Sequence, residues 1–416
     1  MSEPLPSTAR ALLRQRDYTR FWIARFSSGL GGQIQSVTIG WQIYTLARVS
    51  EHLDVRQSAF LVGMVGLASF TPLFLLALPA GETADRHDRK LIAIACLAAE
   101  CVVAVGLAAM SGLGVISANL LLGAAVLFGG ARAYLSPANS ALGPMLVPRE
   151  LLPRAIAWNS LAGQTATIVG SGLGGVLVGV SPTVAYAVAA GLYLTAGVAT
   201  LMIRHDTKPT APLGSRVELI KEGLVYVWEN RVVFGAISLD LFAVLLGGAT
   251  ALLPVFARDI LHVGSAGFGL LRASTTMGAA CMAIFLASHP LRRRAGIIMF
   301  AGVAVYGAAT VVFGVSRSLW VSVVALAVLG AADMISVYVR QTLVQLMTPN
   351  AMRGRVSAVS GLFVSASNDF GEFESGVVAR FLGPIGSAIF GGIGALIVTG
   401  VWAGLFPALR KADRLE

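Results

Sequence analysis

Ten ionisable side chains stand inside long apolar stretches of the sequence: Arg25, Glu100, Arg132, Asp240, Arg272, Asp333, Arg340, Asp369, Glu372 and Glu374. A charge held among apolar residues is expensive and has to face a partner, a cavity or a mobile ion. Arg132 and Asp333 are 201 positions apart. The same offset relates Pro148 to Pro349 and Arg154 to Arg355, in the similar segments 146–154 and 346–355. Arg132 and Asp333 therefore hold equivalent places in two related halves. A carboxylate beside a guanidinium stays ionised and loses that help when the pair separates, which is one physical route to moving a proton. The alternative is that each charge is met within its own half.

Asp369 and Glu372 lie three apart on one helical face, while Glu374 turns away. Carboxylates so placed can share a proton or a cation. No histidine accompanies them, and the ligand count is short for a divalent metal, so no metal site is expected. Asp240 suits a protonatable carboxylate or a cap for the start of its helix. Arg340 joins it as a charge available to a cavity. Arg25 reads most simply as a snorkelling side chain, and Glu100 as a hydrogen bonder in helix packing. Gln33, Gln35, Trp41 and Tyr44, then Tyr134, Ser136 and Asn139, then Phe242, then Tyr338 and Gln341 add polar and aromatic groups at similar depth. An apolar wall with a few fixed polar groups suits a bulky amphipathic ligand; packing between helices accounts for about half of such residues.

The elements that position these groups follow from composition. Of 416 residues, 56% are hydrophobic and 12% are Asp, Glu, Lys or Arg. Soluble domains carry about 25% charge, so a soluble enzyme, a disordered chain and a coiled coil are excluded. A membrane span needs about 20 mostly apolar residues. Twelve such runs are present, near 21–47, 58–80, 91–112, 117–145, 154–180, 183–203, 232–257, 265–288, 295–315, 319–346, 356–381 and 385–408. The first has no small-residue cleavage site at its end and reads as an uncleaved span. The stretch 204–230 is the longest polar one. Within it Val217, Ile220, Leu224 and Val227 make the apolar stripe of a surface helix. The chain thus divides into a six-helix bundle at 1–203, a linker at 204–230 and a second six-helix bundle at 231–416.

With the N-terminus inside, 22 of the 31 Lys and Arg residues fall on the cytoplasmic side, 5 on the other and 4 within spans. That asymmetry places both termini in the cytoplasm. It also accounts for the net charge of +10 without nucleic acid, since no basic stretch is interleaved with aromatics. Cys96, Cys101 and Cys281 lie in apolar runs and read as small packing residues.

Between the second and third spans stands Gly81-Glu82-Thr83-Ala84-Asp85-Arg86-His87-Asp88-Arg89-Lys90. Gly81 lets a helix end close to a neighbour. Asp85 can accept hydrogen bonds from free backbone N–H groups, and Arg86, Arg89 and Lys90 can hold it by ion pairing. This segment resembles the loop signature of the major facilitator superfamily, G-x-L-A-D-R-x-G-R-[RK], departing at Thr83 and Asp88. The resemblance implies twelve transmembrane helices in two pseudo-symmetric bundles. It also implies a central cavity lined by spans one, four, seven and ten, and a gating role in which Asp85 meets the start of span eleven near residues 354–357. Residues 24–27, 239–241, 253–257 and 354–356 are similar to the enterobactin-exporter-like group of that superfamily. Gly170-Ser171-Gly172-Leu173-Gly174-Gly175 resembles the G-P-x-x-G-G element of proton-coupled exporters, with Ser171 in place of proline; glycine-mediated packing is the alternative.

These readings converge on a secondary transporter that exports an amphipathic, siderophore- or drug-like molecule by proton antiport with alternating access. A lipid or lysolipid translocator and a facilitated importer of the same fold are the alternatives. No GxxxxGK[ST] loop is present, so ATP does not drive this chain alone. His52, His87, His205, His262 and His289 fall at span ends or loops, without a triad partner, and no enzyme activity or cofactor is expected. The expected partners are the small-molecule substrate, protons and the bilayer, for a monomer in a bacterial-type inner membrane.

Overall fold

The computed structural model describes residue 12 and residues 14–205, 207, 216–289, 291, 293–349 and 352–411. The terminal basic residues Arg10 and Arg414, linker residues 206 and 208–215, and Arg292 lie outside them. Six helices come first: α1 (Arg16–Val49), α2 (Val55–Arg86), α3 (Arg89–Gly112), α4 (Ala118–Met145), α5 (Leu152–Val180) and α6 (Pro182–Leu201). The amphipathic α7 (Arg216–Glu229) follows. Then come α8 (Arg231–Leu246), α9 (Gly264–Ser288), α10 (Ala295–Val315), α11 (Leu319–Met347) and α12 (Arg353–Leu405). Ten helices among the described residues are long and apolar enough to cross a membrane. One of these, the long α12, is two helices meeting at Gly383, whose φ of 77° only glycine adopts easily, followed by Pro384. With its two arms counted separately and the 34-residue α1 included, twelve long helices run through the described residues.

Capping residues explain several boundaries. Ser117 and Ser181 accept from the first free N–H groups of α4 and α6, and Asn230 does the same for Val232 and Val233 of α8. The expected seventh span is not one continuous helix. It breaks at Gly247 and Gly248, then continues through a 3₁₀ turn (Ala249–Leu252) to a π turn (Phe256–Ile260). The cause is a close approach: a Cβ on Gly247 would sit 2.5 Å from the Tyr306 ring, and the Tyr306 hydroxyl donates to the Gly247 carbonyl at 2.9 Å.

The described residues form two compact units, one within Met1–Ile39 and Thr71–Leu213, the other within Gly40–Phe70 and Gly214–Glu416. In the first unit, Tyr18 and Phe21 of α1 bury against Leu142, Leu146, Leu151 and Ile203. The Tyr18 hydroxyl donates to the Ala155 carbonyl at 2.9 Å. At the start of α1, burial pulls the Asp17 carboxyl upward. The backbone N–H groups of Arg204 and His205 and the Arg20 guanidinium outweigh that effect and hold it below the ordinary carboxylate value.

The second unit includes the end of α1 and the beginning of α2. Tyr44, fully buried, donates to Asp259 of the π turn, and Arg48 pairs with the same carboxylate at 3.1 Å. Trp41 stacks on Phe268 with centroids 5.3 Å apart. Phe70 meets Phe370 edge-on at 6.0 Å. The amphipathic α7 docks on this unit through Val227, which joins Val233, Ile237, Val344, Val356 and Val359. Glu222 pairs with Arg355, and Tyr226 donates to the Met347 carbonyl. Of the expected apolar stripe, Val227 is buried and Leu224 is largely exposed; the side chains of Val217 and Ile220 lie outside the described ones.

Candidate functional site

Three of the charges singled out from sequence come together in the second unit. Asp240 on α8 and Arg340 on α11 form an ion pair of 3.2 Å with side-chain exposures of only 5% and 4%. Asp333 and Ser336 precede Arg340 by seven and four positions, so all three share a face of α11. The Ser336 hydroxyl donates to the other Asp240 oxygen at 3.2 Å, and Arg340 donates to Ser360 of α12 at 3.0 Å. Asp333 lines one small cavity with Asp240, Ser336 and Tyr306. Asp240 thus holds the guanidinium directly, and Asp333 lies near enough for the Arg340 and Asp240 charges to act on it, so the three groups carry a formal charge of −1.

In the first unit a second group of charges forms. Arg25, Glu100 and Arg132 line one cavity of about 360 Å³ with Gln33, Phe128 and Asn139. The Arg132 guanidinium carbon is 5.6 Å from the Phe128 ring centroid. Each member of the expected Arg132–Asp333 couple therefore has an opposite charge in its own unit: Arg132 with Glu100, Asp333 with Arg340.

The remaining predicted residues are distributed as follows. Gln33 and Asn139 line the first-unit cavity. Gln35 is fully buried in α1, and Trp41 is engaged with Phe268. Tyr134 and Tyr338 are half-buried on α4 and α11. Asp369 and Glu372 stand one turn apart on α12, half-buried, and Arg272 of α9 is the charge acting on Glu372. Ser171, in the glycine-rich stretch of α5, donates to Gln33 at 3.4 Å, and a Cβ on Gly170 would lie 2.7 Å from the Gln33 Cβ. This stretch therefore packs α5 onto α1.

The loop segment closes α2 onto α3. Gly81 is buried and Asp85 half-buried in the last turns of α2. Arg86 pairs with Glu82 at 2.6 Å on the exposed side. Arg89 donates to the Ala84 carbonyl at 3.2 Å, and Lys90 to the Ile203 carbonyl beyond α6 at 2.6 Å. These cations satisfy free carbonyls near helix ends. Asp88, where the superfamily signature has glycine, is the N-cap of α3: it accepts from the Lys90 N–H at 2.9 Å and from the Thr207 hydroxyl. Among the described residues no group of three or more His, Cys, Asp or Glu could hold a metal ion.

Sequence reasoning did not single out Asp259, Ser336, Ser360 or Tyr306. Their only sequence signal is a polar residue on an apolar stretch, and their partners are far away along the chain.

The family described as transmembrane secretion effector has a profile that matches residues 7–416. The chain belongs to that family. It is a branch of the major facilitator superfamily, so the protein is a multi-span membrane transporter and not an enzyme. The transporter is 27% identical over 383 residues to the enterobactin exporter of Citrobacter koseri, covering 91% of this chain and 88% of that one. It is 26% identical, with the same coverage, to the enterobactin exporter of Shigella boydii serotype 4. Among solved structures, its fold is similar to a D-xylose–proton symporter (TM-score 0.71, 13% identity, 94% of this chain and 98% of that one). It is also similar to a bacterial homologue of the lysosomal transporter Spinster (TM-score 0.70, 15% identity, 95% and 96%).

Proposed function

We propose that the transporter exports an amphipathic small molecule of siderophore or drug type, driven by proton antiport. It resides in a bacterial inner membrane with both termini in the cytoplasm. The observation that carries this reading is the second-unit cluster, in which Asp240 pairs with Arg340 and the second carboxylate, Asp333, lies within reach of both charges. One proton neutralises the surplus carboxylate and relaxes its hold on Arg340. Loss of the proton restores the pull of both carboxylates on that side chain. Because Arg340 also holds Ser360 of α12, protonation changes what ties α8, α11 and α12 together. Residues 1–203 and 231–416 are the moving halves in this reading, joined by 204–230, and their rocking gives alternating access. Asp85 and Arg89 stabilise the state closed to the cytoplasm. Support for export as the direction comes from the relatives named enterobactin exporters.

The test is flux in proteoliposomes. Vesicles with the full chain and an imposed pH gradient are given enterobactin, and separately a lipophilic dye. Flux of either that rises with the gradient and collapses with a protonophore is expected. Flux indifferent to the gradient overturns proton antiport.

A lysolipid translocator is the second reading, favoured by one observation. An apolar groove of about 250 Å³ lies beside the amphipathic α7, lined by Leu224, Val227, Trp228, Phe234, Phe242 and Phe363. That is the chemistry of an acyl chain. Lysolipid flux exceeding that of the two other probes selects this reading.

A further inference from the structure

The first-unit cavity has a use that the Asp240–Asp333–Arg340 cluster does not cover. Its volume of about 360 Å³ falls within the range of small-molecule sites, roughly 300–1,000 Å³. It is built by α1, α3, α4 and α5, wholly inside one unit. Two guanidiniums and one carboxylate line it, so its formal charge is +1. A cation in surplus at such depth calls for an anion.

The placement of each charge narrows the anion. Arg132 is exposed to the cavity and lies over Phe128 at 5.6 Å. A guanidinium beside an aromatic face offers paired N–H donors next to a flat apolar surface. A planar group carrying a carboxylate or a similar oxyanion matches both at once. Arg25 brings a second guanidinium from α1, and its Nε is buried with no hydrogen-bond partner among the described residues. Gln33, Asn139 and a rim of serine and threonine hydroxyls supply neutral contacts.

Glu100 is the second, independent observation. It is 3% exposed on α3, faces this cavity, and its Oε2 has no hydrogen-bond partner among the described residues. The charged and titratable groups around it are Arg132 from α4, Arg25 from α1, Tyr193 from α6 and Cys96 on its own helix. A buried carboxylate with an unmade hydrogen bond is a poor packing element. The expectation that Glu100 serves as a hydrogen bonder between helices does not account for its free oxygen. It is a carboxyl buried in the lining of a cavity that two guanidiniums also line.

We infer that this cavity binds a planar aromatic anion. Arg25 and Arg132 hold the oxyanion, Phe128 takes the ring, and Glu100, the carboxyl buried in the same lining, sets how much positive charge the cavity presents. The inference rests on the transporter reading and narrows its substrate class: the amphiphile carries an aromatic acid or an equally planar anionic head. No bond is made or broken.

The experiment is equilibrium binding to the purified full chain in detergent micelles. Calorimetry is run with salicylate and, as its neutral twin, salicylamide. Salicylate is expected to bind at least tenfold more tightly than salicylamide. Arg132→Gln is expected to weaken salicylate at least tenfold and to leave salicylamide unchanged, with Arg132→Lys in between. Glu100→Gln fixes this position as uncharged and is expected to bind salicylate at least as tightly as the unaltered protein. Melting curves identify variants that fail to fold. If Arg132→Gln is one of them, Arg132→Lys and the two-probe comparison decide. Equal binding of the two probes, no salicylate binding to the unaltered protein at millimolar concentration, or unweakened binding by the arginine variants overturns the inference. So does lost binding by a well-folded Glu100→Gln protein. Because the readout is binding, the inference can fail while enterobactin flux persists, and it can stand where pH-driven flux fails.

Discussion

Removing Arg340 should harm the protein more than removing Asp240, although the two face each other in one ion pair. Breaking a buried pair by deleting one partner costs about 3–5 kcal/mol when the other charge is left uncompensated. In Asp240→Asn the guanidinium is not abandoned: Asp333, two turns earlier on the same helix face, still acts on it and Ser360 still accepts from it at 3.0 Å. The amide also keeps an oxygen for the Ser336 hydroxyl. The loss reduces to one charge-assisted hydrogen bond, about 1.5–3 kcal/mol. Arg340→Gln instead leaves two carboxylates with no cation, at the full cost of about 3–5 kcal/mol, or forces the cluster to hold protons permanently. Thermal unfolding followed by tryptophan fluorescence measures the order. Function should separate the same way. Asp240→Asn leaves one carboxylate for one guanidinium, with no surplus to take a proton, so pH-driven flux falls at least tenfold while substrate exchange without a gradient continues. Equal melting temperatures for the two variants, or undiminished pH-driven flux in Asp240→Asn, refute the reasoning.

Other consequences can be checked one by one. Asp85→Asn should lower transport without abolishing folding, and a well-expressed variant with normal flux removes the gating role. Gly170→Val places side-chain atoms where even a Cβ would be 2.7 Å from the Gln33 Cβ; overpacking of this kind destabilises by about 1–3 kcal/mol, read as a lower melting temperature. Tyr306→Phe removes the hydroxyl that holds the Gly247 carbonyl at the break after α8 and should cost about 1 kcal/mol. Asp17 titrates in the folded protein below its unfolded value of 3.8. Its stabilisation is therefore complete above that pH and is lost as pH falls through the lower, folded value. Asp17→Asn should lower the melting temperature at pH 7, and the gap to the unaltered protein should close under acid.

The spans were legible because a bilayer imposes about 20 apolar residues on every crossing helix, and the boundaries of α3, α9 and α10 follow the sequence reading closely. Gly383 and Pro384 marked the bend in α12 because one residue favours positive φ and the other cannot continue a helix. The break after α8 was not legible. Gly247 and Gly248 look like any packing glycines until Tyr306, 59 positions on, is seen pressing against them. The charge cluster was legible in its members but not in its pairing. Asp240 and Arg340 are 100 residues apart, and nothing local says that α8 and α11 bring them to 3.2 Å. The repeat offset marks Arg132 and Asp333 as equivalent positions and does not say which neighbour each one meets. Asp88 is a similar case. In the sequence it stands only as a departure from the superfamily signature, and its N-cap role emerges once α3 is seen to start beside it.

The central claim is that a proton on the Asp240–Asp333–Arg340 cluster drives transport. The most direct test counts protons against substrate in proteoliposomes, using a trapped pH dye while enterobactin flux is followed. The unaltered protein should move protons opposite to the substrate in a fixed ratio, and Asp240→Asn should carry substrate with no proton movement. The same proton-to-substrate ratio in Asp240→Asn would contradict it.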